Sequence, residues 1–267
     1  MSASLQTPPR VSPGRVFQAL LVRDVIVARR EIASFLVRTA LQPVLFVVVF
    51  GYLLPKMGFV QRGYNAAMLP GVLAVGIAFA SMQSVVLPMM TDFGWSKEIE
   101  DRLLAPVPIR LVALEKVVSG VLHGLVAVVV VLPIARLIMG PIPGLSAMHV
   151  GEALLMTVLG ASAFSMFGLL LGTAITPQQV SIMFSVILAP MIFFGCAYYP
   201  WRGLDRVPVM KYAVLVNPLV YVAEGMRATL TPTLPHMSPW IAGAALLLIT
   251  AIFWLTGIRS FEKRALS

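Results

Sequence analysis

From Ala153 to Trp201 the chain carries no charged residue. The run is too long for one membrane helix, which needs about 20 apolar residues, and too apolar for a surface facing water. One break interrupts it, at Thr176-Pro177-Gln178-Gln179, where proline and polar side chains mark a turn. The run therefore reads as two antiparallel membrane helices, 153–175 and 180–199, joined by a tight loop. The whole chain fits that solvent. Hydrophobic residues make up 59% of it and charged residues 12%, where soluble domains average about 45–50% and about 25%.

Four further spans follow from the same criterion. Thr39–Pro55 is short and borrows a turn from Ser34–Arg38, with Arg38 snorkelling to the interface. Gly63–Thr91 is free of charge. Val117–Ala135 and Trp240–Ile258 complete the set. The expectation is an all-α, polytopic membrane protein with six transmembrane helices in a single domain, 1–267. With six spans both termini share one side. That side holds 13 of the 20 Lys and Arg residues, so it is read as cytoplasmic. No short apolar core with a cleavage site marks an N-terminal signal.

Three segments outside the spans carry information. In 15–38, Phe17, Leu20, Leu21, Val25 and Ala28 recur at helical spacing among Arg15, Arg23, Arg29 and Arg30. This predicts an amphipathic helix lying in the interface, the alternative being a basic tail that only sets topology. In 96–110, Ser96 can cap a helix whose first turn holds Glu98 and Glu100. Lys97–Asp101 and Glu98–Arg102 are (i, i+4) pairs, and Ile99, Leu103 and Leu104 form an apolar strip. The alternative is a solvated loop helix without a partner. In 200–230 the chain is long for a loop yet largely apolar, with a break at Asn217-Pro218. It reads either as two half-helices that re-enter the membrane or as a cap lying flat on it.

The chemistry-bearing patterns are mostly missing. The sequence holds no GxxxxGK[ST] loop, no GxGxxG and no HExxH, so neither a phosphate-binding loop nor a zincin site is expected. His123, His149 and His236 are far apart in sequence, and Cys196 is the single cysteine. A metal centre and a disulfide are not expected. The net charge of +9 is scattered between apolar runs and makes no basic, aromatic-laced face for nucleic acid. Acidic residues stand outside the apolar windows, which disfavours an ion-driven carrier. His123 is the one ionisable group deep in a predicted span. Gly120-x-x-x-Gly124 and Gly168-x-x-x-Gly172 are small-residue spacings that let helix backbones approach. A membrane enzyme or secondary carrier, or a scaffold, stays open on these grounds.

Two stretches resemble a known family. Lys97 through Pro108 resembles the acidic "EKERGTLERLLATPL"-like stretch that follows the second span in permease subunits of type-2 ATP-binding-cassette exporters, without its Gly-Thr step. Gly195 through Pro208, with Asn217-Pro218-Leu219-Val220-Tyr221-Val222-Ala223-Glu224-Gly225-Met226-Arg227, resembles the "SGIFFP…LP…NPLTYLVEALR" stretch of the daunorubicin-resistance and nodulation types. The resemblance implies a non-catalytic permease in a bacterial inner or plasma membrane. Its pathway would pass a lipophilic or amphipathic substrate: a drug, a lipid or a glycolipid. Lys97, Glu98, Glu100, Asp101, Arg102, Leu103 and Leu104 would form the coupling helix docking on a separate ATPase. Pro200, Asn217, Pro218, Tyr221, Glu224 and Arg227 would belong to an outer re-entrant segment. The resemblance also implies two ATPase copies, which hold the ATP and magnesium, and a second permease, identical or sibling. The first and fifth spans would face that second permease.

Overall fold

A computed structural model of the chain describes residues 43–59, 64–94, 108–140 and 147–265, with scattered positions before 43. Among the described residues every regular element is helical. Pro43–Lys56 is a short apolar helix, α1. Tyr64–Gly94 is α2, Ile109–Met139 is α3 and Ala147–Ala174 is α4. A 3-10 turn at Pro177–Gln179, helical Val180–Met183, a π-helical turn at Phe184–Leu188 and helical Ala189–Phe193 run on as α5. Two short helices, α6 (Pro208–Ala213) and α7 (Pro218–Leu230), precede the last, α8 (Pro239–Ala265).

Four of these, α2, α3, α4 and α8, are long and apolar enough to cross a membrane. At 1.5 Å per residue the 31 residues of α2 extend about 46 Å, beyond a hydrocarbon core of about 30 Å. Proline explains the irregular turns. α1 is π-helical over Val47–Leu53 and α5 over Phe184–Leu188, and Pro55 and Pro190 follow two residues later. A proline has no N–H, and its ring presses on the carbonyl four residues back. A wider turn relieves that clash.

Glycines set the register. A Cβ at Gly120 would meet Val85 and Ser165, and one at Gly124 would meet Ser81 and Ala161. As α3 advances, its contacts on α2 and α4 both move backwards, so α3 is antiparallel to each. A Cβ at Gly168 would lie 2.8 Å from the Met82 carbonyl oxygen, and one at Gly172 would lie 2.9 Å from the Met89 side chain. Thus α4 runs parallel to α2. Close approach of this kind is what glycine at four-residue spacing permits. Gly243 faces Met156 and Leu159 while Gly257 faces Leu169 and Met166, so α8 runs parallel to α4. Residues 175–238 must therefore carry the chain from the Ala174 end back to the Pro239 end, and α5 makes most of that return.

α1 covers part of the bundle's length. Pro43 lies 3.6 Å from a Cβ placed on Gly76, well inside α2. Phe46 and Phe50 pack on Tyr198 at 5.2 and 5.9 Å, and the Tyr64 hydroxyl donates to the Tyr198 carbonyl at 3.2 Å. α1 thus lines the half of α2 nearer Tyr64. The stretch Ser34–Arg38 that would lengthen it lies largely outside the described residues, as does most of the 15–38 helix.

α2 is the centre, buried over 72% of its apolar stretch against 33% for α3 and 28% for α8. The outer helices present large apolar side chains outward, among them Val129, Leu137, Leu247 and Leu248. Such faces suit hydrocarbon and would be a liability in water. Helix ends correct the sequence boundaries. α3 starts eight residues before Val117, and α8 runs on past Ile258 to Ala265. Hydropathy ends a span at its first charge, whereas these helices continue because their charges find partners. Lys116 lies 3.9 Å from Asp92 and Arg110 lies 2.7 Å from Glu262.

Candidate functional site

The predicted coupling residues Lys97, Glu98, Glu100, Asp101, Arg102, Leu103 and Leu104 lie outside the described residues. Of the 96–110 stretch, Pro108 is the N-cap of α3, and Ile109 and Arg110 open its first turn. Around that end the described charges converge. Arg264 of α8 donates to the Thr173 carbonyl at 2.6 Å and the Ile175 carbonyl at 3.1 Å. A cation there offsets the negative end of α4 and satisfies its orphan carbonyls. The Arg264 guanidinium also stands 5.0 Å over the Phe93 ring.

At the opposite end the predicted segment 200–230 folds around a buried ion pair. Asn217 caps α7, its side-chain oxygen accepting from the Leu219 N–H at 3.0 Å, and Pro218 occupies the first turn, where its missing N–H costs nothing. The Asn217 amide donates to the Met191 carbonyl at 2.7 Å, tying this turn to α5. From Pro218 to Leu230 every residue except Tyr221 is buried. Tyr221 donates its hydroxyl to the Leu215 carbonyl at 2.8 Å.

α7 leans on the central helices in a definite direction. Val222 meets Gly160, Gly225 meets Met156, and Met226 meets Thr157. α7 is therefore antiparallel to α4. Its Asn217 end reaches toward the middle of the bundle, and its Leu230 end points back toward the start of α4.

Glu224 and Arg227, one turn apart on α7, are both fully buried and form a salt bridge. Each also holds backbone groups from other segments. The Glu224 carboxylate accepts from the Trp201 N–H at 2.8 Å and the Met237 N–H at 2.7 Å. The Arg227 guanidinium donates to the Cys196 carbonyl at 3.1 Å and to the Ala67 carbonyl at 3.2 and 3.3 Å. Two buried charges are tolerated where each is paired and its remaining bonds are filled. Four strands of chain meet here: the α2 start, the turn after α5, α7 and the approach to α8.

The turn after α5 is shaped for this contact. Cys196 adopts φ 52°, a left-handed conformation that costs a non-glycine residue about 1–2 kcal/mol. It directs the Cys196 carbonyl to Arg227. Next to it, Ala197 packs so closely on α2 that a Cβ at Gly71 would overlap the Ala197 carbonyl. Pro200 then caps a 3-10 turn, Trp201–Arg206. The Trp201 indole donates to the Lys211 carbonyl at 2.9 Å, and Lys211 pairs with Asp205 at 2.6 Å.

Sequence reasoning brought Pro200, Asn217, Pro218, Tyr221, Glu224 and Arg227 into one segment. It missed the depth of the last two, because hydropathy counts a charge as exposed. It also placed the acidic groups outside the cores, yet Glu115 is fully buried and Asp92 and Lys116 are nearly so. His123, expected as the one deep ionisable group, is half-buried and bonds the Ser119 carbonyl one turn back at 2.7 Å. The (i, i+3) spacing of Glu224 and Arg227 shows only that the two can pair on one helix face, not that the pair is buried. Among the described residues no group of three His, Cys, Asp or Glu side chains could hold a metal ion.

The sequence through α7 is matched by a family model. The model, described as ABC-2 type transporter, covers residues 15–231. The chain belongs to the ABC-2 type transporter family. Among its relatives is the inner membrane transport permease YadH of Escherichia coli strain K12. The two are 29% identical over 220 residues, 74% of this chain and 78% of YadH. The putative transport permease ycf38 of Cyanophora paradoxa is 26% identical over 267 residues, 91% of this chain and 87% of its own. The ABC-2 match takes in the 96–110 stretch and the whole of α7, ending at Thr231 just past it.

Proposed function

We propose that the chain is the transmembrane subunit of an exporter of the daunorubicin-resistance or nodulation type, driven by a separate ATPase subunit. Family membership over residues 15–231 carries this reading. The single domain then crosses an inner or plasma membrane six times. α1 with the residues before it, α2, α3, α4, α5 and α8 are the spans, and both termini are cytoplasmic. The parallel course of α4 and α8 supports the fifth crossing. The excess of Lys and Arg on the side of the termini supports the orientation. The antiparallel course of α7 along α4 supports a re-entrant segment: the chain dips in along α6, turns at Asn217 and climbs out along α7.

In this reading Lys97, Glu98, Glu100, Asp101, Arg102, Leu103 and Leu104 dock on the ATPase. Two such subunits bind ATP and magnesium, and a second permease, a copy or a sibling, completes the pathway for a lipophilic or amphipathic molecule. ATP-driven closure of the ATPase pair pushes on the coupling segments. Arg110 and Arg264 tie the nearby ends of α3, α4 and α8 into one unit that can pass that push along the bundle.

Co-expression with a partner ATPase and purification in mild detergent tests the assignment. A stable complex is expected, with ATP hydrolysis stimulated by substrate. Reversing Glu98, Glu100 and Asp101 to lysine should leave the permease folded and abolish stimulated hydrolysis. Stimulation that persisted in the triple variant would remove the coupling role from this segment.

A further inference from the structure

A groove of about 620 Å³ opens between α5, the Val214–Asn217 turn and the α4–α8 pair. Its floor is Phe167 and Phe253, stacked at 5.0 Å, and its walls include Met191, Phe194, Val214 and Pro218. Both floor residues lie within apolar membrane-length helices, so the groove sits at membrane depth. No charged side chain lines it. Its one amide, Asn217, already gives one N–H to the Met191 carbonyl, and its oxygen accepts from the Leu219 N–H. The lining is overwhelmingly apolar, so a polar occupant would be desolvated with little return.

We propose that this groove holds the acyl chain of a bilayer phospholipid, inserted between α5 and the Val214–Asn217 turn as a structural filler. The volume lies in the range of sites that enclose small ligands. Of its lining, Phe194 and Val216 face outward, so a chain enters sideways from the hydrocarbon without crossing water. Met191 and Met210 supply flexible thioether walls that follow an irregular chain. A helix from a second copy fits poorly. Close helix contacts in membranes rely on small residues, and Ala213 is the one small side chain in this lining. The inserted chain supports the turn that places Asn217 and so the deep end of α7.

The inference rests on the membrane-spanning reading above, and the test separates the two. The full-length protein is placed in phosphatidylcholine nanodiscs doped with a phospholipid bearing a diazirine near the end of one acyl chain. After photolysis, labelled residues are located by peptide mass spectrometry. Leu247 and Leu248, outward-facing on α8, report ordinary lipid contact. Labelling at Met191, Met210 and Val214 is expected to exceed theirs by about tenfold, the ratio that a preference of about 1.4 kcal/mol gives. Ala213→Trp and, independently, Met210→Trp fill the groove and should bring the remaining wall labels down to the Leu247 level. Val209→Trp, at an outward-facing position, should not. Wall labelling equal to that of Leu247, or unchanged in whichever filling variants fold, overturns the proposal. So does wall labelling that vanishes when two permeases associate, if the filling variants also separate them, because a second copy is then the occupant. Absence of label at Leu247 and Leu248 as well would refute the membrane reading itself.

Discussion

Removing Glu224 leaves the Arg227 guanidinium fully buried without its anion, and it strips the Trp201 and Met237 N–H groups of their acceptor. Breaking a buried pair by deleting one partner costs about 3–5 kcal/mol, and each orphaned buried donor about 1–3 more. The losses share one site and do not add fully. Glu224→Ala is therefore expected to destabilise by about 4–6 kcal/mol, enough to unfold a marginal protein. Glu224→Gln keeps the shape but turns an N–H donor toward another donor, for about 2–4 kcal/mol. The informative variant is the double replacement Glu224→Met with Arg227→Met. In many proteins an apolar substitute for a buried ion pair is nearly neutral. Here it is not expected to be, because the pair also serves two backbone N–H groups and the Ala67 and Cys196 carbonyls. The double variant should stay destabilised by about 3 kcal/mol or more, with the single losses summing to more than the double. Equilibrium unfolding in mixed detergent–SDS micelles, followed by tryptophan fluorescence, measures all four proteins of the cycle. A double variant within about 1 kcal/mol of the parent would refute the reasoning. The pair would then be a replaceable filler and not the tie between α2, α7 and the approach to α8.

The same unfolding assay checks the remaining expectations. Gly71→Ala places a methyl on the Ala197 carbonyl and should cost at least about 1–3 kcal/mol by overpacking. Gly151→Ala on α4 meets nothing within 4 Å and should be neutral or stabilise by up to about 1 kcal/mol. Asn217→Ala removes the α7 cap and the bond to Met191 and should cost about 1–2 kcal/mol; Asn217→Asp should restore the cap but not the Met191 bond. Arg264→Ala uncovers the carbonyls ending α4 and should cost about 1–2 kcal/mol, with earlier hydrogen exchange over 170–175.

Composition and charge spacing by themselves determined the solvent of this chain, the helical class and the break at Pro177, because a bilayer demands long runs in which no charge appears. The family resemblance came from particular stretches such as Asn217–Arg227, which are local in sequence. Composition and charge spacing gave four membrane-length helices close to their true places, with ends set too short where partnered charges let a helix continue. Only the tertiary structure decided what Glu224 and Arg227 do. In the sequence they are two charges in an outer segment. In the fold they are fully buried, because α7 packs antiparallel along α4, where Trp201, Met237, Ala67 and Cys196 come within bonding distance. Burial of a charge depends on where four distant segments meet, and no local pattern encodes that meeting. The uncharged run from Ala153 to Trp201 likewise announced two helices. That its second half would be short, π-turned at Phe184–Leu188 and grooved beside Phe167 and Phe253 followed from Pro190 and from the packing of α8.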